Sequence, residues 1–156
     1  LRDALSPNSP HALVNAGMTS ITPNALVTYE DTADVLTIFR CFGEAEVIAE
    51  GMIHPVVGVS GSAPAYVFMF IEAMADAAVL GGMPRAQAYK FAAQAVMGSA
   101  KMVLETGKHP AELKDMVCSP GGTTIEAVKV LEDKGFRAAV MDAMAACMAK
   151  SEKLSA

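Results

Sequence analysis

From residue 54 onward the chain is cut into pieces by four clusters of helix-breaking residues: Gly81-Gly82 with Pro84, Gly107-Lys108-His109-Pro110, Ser119-Pro120-Gly121-Gly122, and Gly135. Between the cuts apolar residues recur every three or four positions, and no segment alternates with the period of two that a strand requires. The pattern predicts helices over residues 64–79, 85–106, 111–117, 123–134 and 136–153. Pro64 falls in a first turn, where its missing N–H costs nothing, and Gly107 is placed to end a helix in the left-handed conformation. In the first segment Phe70, Met74 and Ala77 or Ala78 share a face with Val67 and Ile71 beside it, and the opposite positions are mostly small. A helix apolar on nearly every side is covered on nearly every side. The second carries Ala88, Ala92 and Ala95 at helical spacing, which lets helix axes approach closely. The last is expected to bury Phe136, Val140, Ala143, Met144, Cys147 and Met148 and to wet Arg137, Lys150, Glu152 and Lys153.

The residues before this helical stretch follow another rule. Residues 17–22 (Gly-Met-Thr-Ser-Ile-Thr) read as a short strand ended by Pro23-Asn24. Glu30 and Asp31 open an amphipathic segment with Val35, Leu36 and Phe39 on one face, closed by Gly43, and residues 45–48 can form a second strand. Strand, helix, strand is an α/β unit too small to bury both faces of a parallel sheet, so further sequence or a neighbouring subunit has to complete it. His54-Pro55 and Gly58-Val59-Ser60-Gly61 read as the connection into the helical part. The expected fold is therefore mainly α, with a partial α/β segment over residues 1–53 and an all-helical domain over residues 54–156.

Composition narrows the partners. The chain is 53% hydrophobic and 19% charged, with 11 Met and no Trp, which is too apolar for disorder and suits closely packed helices that share a subunit interface. Its 12 basic residues are scattered against 17 acidic ones, a net charge of -5, which excludes a nucleic-acid backbone as the expected partner. The most apolar window, residues 66–80, is interrupted by Glu72 and Asp76, so no membrane span is expected. Cys41, Cys118 and Cys147 form no CxxC pair, and a reducing cytoplasm is the expected compartment. Each cysteine reads as a small buried hydrophobe, with Cys118 partly exposed. His11, His54 and His109 are too far apart for metal-ligand spacing, so no metal is expected. Neither a nucleophile elbow nor a G-x-G-x-x-G or Walker loop is present.

The chemistry is expected in the stretch Cys118-Ser119-Pro120-Gly121-Gly122-Thr123-Thr124-Ile125-Glu126, a loop feeding a helix. A first helical turn leaves N–H groups without partners, the two glycines leave them unscreened, and Ser119, Thr123 and Thr124 add hydroxyls. Donors and helix dipole together favour a small carboxylate or a phosphate. The alternative is an ordinary helix start capped by Thr123 or Thr124, with Glu126 in the first turn. Glu72 and Asp76, four apart, share a helix face and could serve acid–base or metal chemistry, against the alternative of one wetted helix edge.

Two motifs, Gly58-Val59-Ser60-Gly61-Ser62-Ala63-Pro64-Ala65-Tyr66 and Leu113-Lys114-Asp115-Met116-Val117-Cys118-Ser119-Pro120-Gly121-Gly122-Thr123-Thr124-Ile125, continued through Gly135-Phe136-Arg137, resemble the helical domain of pyrroline-5-carboxylate reductases. Residues 7–51 resemble the end of that family's Rossmann-type cofactor domain. There a Met-Pro-Asn-Thr-Pro stretch lies by the nicotinamide; here Ser6 replaces the Met, Ser9 replaces the Thr, and His11 is an extra residue. The resemblance implies NAD(P)H-dependent reduction of 1-pyrroline-5-carboxylate to L-proline, with NADPH or NADH held mostly by a Rossmann half that is not in this sequence. On that reading the chain is part of a longer protein and inactive alone. The resemblance further implies an interlocked homodimer, assembled further into a decamer, through a helical dimerisation domain. Ser119, Gly121, Gly122, Thr123 and Thr124 would bind the substrate carboxylate, the N–H groups of Gly122, Thr123 and Thr124 donating to it. Thr124 would lie at the ring nitrogen as the catalytic contact, and Pro7 and Asn8 would touch the cofactor. The reading from another class is a non-catalytic helical oligomerisation module.

Overall fold

A computed structural model describes residues 2–4 and 10–155. The chain forms two compact units: one comprises the residues up to Ala65 together with those from Asp142 onward, and the other runs from Tyr66 to Met141.

The first unit is built on a three-stranded sheet in the order β1 (Arg2–Ala4), β2 (Gly17–Thr22), β3 (Gly43–Val47). β1 runs antiparallel to β2, pairing Asp3 with Ile21, and β2 runs parallel to β3, pairing Gly17 with Gly43 and Ile21 with Val47. Nothing in the turn-rich opening of the sequence predicts β1; the flanking strand alone makes it one. A 3-10 turn over Pro10–Val14 leads into β2, and helix α1 (Tyr29–Phe39) is the crossover that parallel strands require. Its start is a full capping box: Thr28 Oγ1 accepts the Asp31 N–H at 3.1 Å, and Asp31 Oδ2 accepts the Thr28 N–H at 3.0 Å. At the head of β3, Gly43 has φ +145°, and a Cβ there would run into the backbone of Gly17. Only glycine permits the two strands to start in that register. Ile21 and Ala45, 2% and 1% exposed, are the apolar core of this unit.

The segment expected to be a plain connection is helical almost throughout. A 3-10 turn (Glu50–Met52), helix α2 (Ile53–Val56) and a π-helical turn (Val57–Gly61) follow one another, and the Ser62 N–H reaches the Val57 carbonyl at 2.8 Å. Glycine-rich sequence reads as a loop when isolated; here a neighbouring helix stabilises the helical form. The second half of α7 (Phe136–Ser155) lies along it: Gly58 is buried with Met148 Cγ 3.1 Å from where a Cβ would stand, Cys147 Sγ donates to Ser62 Oγ at 3.2 Å, and His54 Nδ1 is 2.9 Å from Ser151 Oγ.

In the second unit α3 (Ala63–Leu80), α4 (Arg85–Thr106), α5 (Pro110–Val117), α6 (Thr123–Asp133) and the opening of α7 end where the glycines and prolines fall. Gly107 takes the expected left-handed conformation, φ +64°. His109 caps α5, its Nδ1 accepting the Ala111 N–H at 3.1 Å, with Pro110 directly after it. Between α3 and α4, Arg85 pairs with Asp76 and lies 5.7 Å from the Tyr89 ring centre. Asp76 holds the guanidinium above its ordinary range. The buried apolar side chains of this unit are alanines, Ala75, Ala88 and Ala92.

The apolar faces themselves stand largely uncovered. Val67, Phe68, Met69 and Phe70 are all more than a third exposed. The burial expected along the last helix is only partial, with Met144, Cys147 and Met148 half-buried and Phe136, Val140 and Ala143 exposed. Phe136 keeps one aromatic neighbour, Phe70, at 5.9 Å between ring centres. The helical run Glu50–Leu80 is long and apolar enough to cross a membrane by length and composition alone, with a mean hydropathy of 1.5 in its best window. The two acidic residues Glu72 and Asp76 do not lower it below that level.

Candidate functional site

The loop between α5 and α6 begins where α5 stops, the Cys118 N–H returning to the Asp115 carbonyl at 3.1 Å. Ser119 to Gly122 then make a tight turn, closed by the Gly122 N–H on the Ser119 carbonyl at 3.0 Å. Pro120 stands second and Gly121 third with φ +65°, the arrangement of a type II turn. Gly122 is the N-cap of α6, at φ -79° and ψ 168°, and no side chain caps the helix.

Neither threonine serves as a cap; both are already inside the first turn. The Gly122 N–H, expected among the donors for a carboxylate, already donates to Ser119. The first-turn donors without an intrahelical acceptor are those of Thr123, Thr124 and Ile125, and Ile125 is the one that sequence reasoning missed. Helical numbering alone could have found it, since the third residue of a helix has no carbonyl four positions back inside that helix. A Cβ on Gly122 would stand inside contact distance of Ser119 Oγ and 3.1 Å from the Ser119 carbonyl oxygen. The Ser119 hydroxyl therefore sits against the helix start together with the two threonines. Glu126 follows directly, in the same first turn. This cluster can hold a small anion through backbone N–H groups, with hydroxyls to orient the rest of the molecule.

Other sequence candidates fall elsewhere. Of the Glu72–Asp76 pair, Asp76 pairs with Arg85 at the α3–α4 connection. Cys41 is exposed, its Sγ 3.5 Å from the Thr37 carbonyl, which corrects the expectation of a buried thiol; Cys118 and Cys147 are half-buried. Among the described residues no three His, Cys, Asp or Glu side chains gather as metal ligands could. Pro7 and Asn8, expected at the cofactor, lie outside the described residues, and no described residue is assigned to a dinucleotide. One apolar cavity of about 390 Å³ opens between α4 and α5, lined by Met102, Val103, Leu113, Met116 and Val117 with Lys114 among them.

Helices that follow a partial βαβ segment, one of them opened by a glycine pair, define a class: mainly α proteins with a partial Rossmann-type segment before the helices. A family model describing pyrroline-5-carboxylate reductase dimerisation matches residues 50–154. The chain belongs to the pyrroline-5-carboxylate reductase family. It is 89% identical over 149 residues to the pyrroline-5-carboxylate reductase of Escherichia coli K12, an alignment covering 96% of this chain and 55% of that protein. It is 49% identical to the Synechocystis enzyme of the same name, over 95% of this chain and 55% of that one. The chain thus spans about half the length of the curated relatives it matches. Among solved structures, the Plasmodium falciparum pyrroline carboxylate reductase with NADP bound superposes with a TM-score of 0.87 at 33% identity, covering 94% of this chain and 59% of that one. The Streptococcus pyogenes enzyme superposes with a TM-score of 0.86 at 36% identity, covering 92% and 55%.

Proposed function

We propose that this chain is the substrate-binding and dimerising part of an NADPH-dependent reductase that converts 1-pyrroline-5-carboxylate to L-proline in the cytoplasm, with NADH as the alternative donor. The observation that carries this reading is the uncapped start of α6, with its Thr123, Thr124 and Ile125 N–H groups beside the Ser119 hydroxyl, in a chain of this family. Those donors hold the substrate carboxylate. Gly122 contributes space rather than its N–H, which the Ser119 carbonyl occupies. Gly121 shapes the turn, and Thr124 turns its hydroxyl to the ring nitrogen. The reduced nicotinamide, when bound, would supply a hydride to the imine carbon of the ring. As the new C–H bond forms there, the π electrons of the C=N bond move onto nitrogen, which carries its proton from the iminium form. The chain's own part is orientation: a fixed carboxylate decides which face of the imine meets the donor.

The domain boundary lies at residues 53–54, and the partner is a second copy of the chain, with dimers assembling further into a decamer. The apolar run Glu50–Leu80 is then covered by protein rather than by lipid. In the full-length protein that carries this chain, NADPH oxidation in the presence of the imine tests the reading. Thr124→Ala should raise KM about fivefold to a hundredfold, as loss of one hydrogen-bond partner does, and lower kcat as well if the hydroxyl follows the nitrogen during hydride transfer. Unchanged kinetics would remove the Thr124 hydroxyl from the site, and unchanged kinetics for Gly122→Val as well would remove the loop. The family match over residues 50–154 favours this reading over a non-catalytic oligomerisation module.

A further inference from the structure

The two adjacent glycines of the loop are required for different reasons. Gly121 has φ +65°, a conformation that disfavours side chains, yet nothing stands within 4 Å of where its Cβ would be. Gly122 is the reverse: φ -79° and ψ 168° are ordinary extended values that any residue adopts, but the place of its Cβ is taken by the Ser119 hydroxyl, with the Ser119 carbonyl oxygen 3.1 Å away. No protein group among the described residues hydrogen-bonds that hydroxyl, so its position follows from the turn and from the missing Cβ below it.

We infer that Gly122 is a positioning residue acting through Ser119: its lack of a Cβ seats the Ser119 hydroxyl against the start of α6, completing one set of donors with the Thr123, Thr124 and Ile125 N–H groups. The inference rests on the proposed role of this loop in holding the substrate carboxylate. A Cβ at 122 lifts the hydroxyl and its turn away from the helix start. The helix and its N–H groups stay, because the backbone angles at 122 suit alanine.

A double-mutant cycle in the full-length protein tests this, read as KM for the imine with NADPH saturating and as kcat. Ser119→Ala should raise KM about tenfold, the loss of one hydrogen bond to a charged group, with kcat nearly unchanged. Gly122→Ala should raise it several times further, because the displaced serine also disturbs the turn. The double variant should return to the Ser119→Ala value, since removing the hydroxyl leaves room for most of the new methyl group. A double variant whose effect is the product of the two single ones would overturn the coupling while leaving the loop in the site. If neither single change moves KM while Thr124→Ala does, the inference fails and the proposed function stands. Urea titration of Gly122→Ala serves as the folding control: an unfolding midpoint near that of the unaltered protein is expected, and a loss of folded protein large enough to account for the rise in KM would show that the change is merely disruptive and sink the inference.

Discussion

Gly121 and Ala92 respond to substitution through unlike physics. At Gly121 the cost is conformational: Gly121→Val should lower stability by about 1–2 kcal/mol, the penalty of a side chain in the left-handed region, and Gly121→Asn by less, as a urea titration would show. At Ala92, 5% exposed in the second unit, the cost is desolvation, and Ala92→Asp should cost roughly 3 kcal/mol or more because the charge has no route to water. Ala95, placed on the same apolar face by its spacing, is exposed in the single chain, so Ala95→Asp should leave its unfolding midpoint nearly unchanged. These residues also mark what the sequence could disclose. The Ser-Pro-Gly-Gly-Thr-Thr stretch announces a turn and a helix start through composition alone. Which N–H the turn consumes, and that the second glycine accommodates a serine hydroxyl, are facts of three-dimensional closeness that no spacing rule carries.

Helices with strong punctuation were legible to within a residue or two: α4 begins after Pro84 and ends at Gly107, and α5 begins at the proline following a histidine cap. The stretch from Glu50 to Gly61 was not, because its helical turns depend on the second half of α7, almost a hundred residues later in the chain. α1 offers the cleanest test of a local signal. Thr28→Ala removes the side-chain half of its capping box and should cost about 1 kcal/mol at neutral pH by thermal or urea unfolding. Hydrogen bonds from Thr28, side chain first and backbone second, hold the Asp31 carboxyl below its ordinary 3.8. A depressed folded-state pKa stabilises the fold above the unfolded value and loses that effect as pH falls through the folded value. The gap between wild type and Thr28→Ala should therefore be full at neutral pH and narrow once the solution is more acidic than about pH 4. A gap that widens in acid would contradict the role given to Asp31.

At the scale of the whole chain, large apolar side chains stand exposed in numbers, among them Phe68, Met69, Phe91, Met97 and Leu104 in the second unit. Sedimentation at micromolar concentration should show a dimer or larger assembly, and Phe68→Asp or Met69→Asp should shift it toward monomer, since both side chains are more than half exposed in the single chain. A chain that sediments as monomer at every concentration would leave that apolar surface without its proposed cover. The surplus was legible in advance as helices apolar on too many sides. In the last helix the expected stripe has only half its cover within one chain, because periodicity shows that a face is apolar and not what covers it. The connectivity of the first unit carries a different consequence, one of time. Its two parts, the residues up to Ala65 and those from Asp142 onward, are separated by the whole of the second unit. A ribosome adding roughly 5–20 residues per second takes about 4–15 s to pass from one part to the other. During that interval the nascent strands and the glycine-rich turns wait for the helix that clasps them, so the unit begun first is the one finished last.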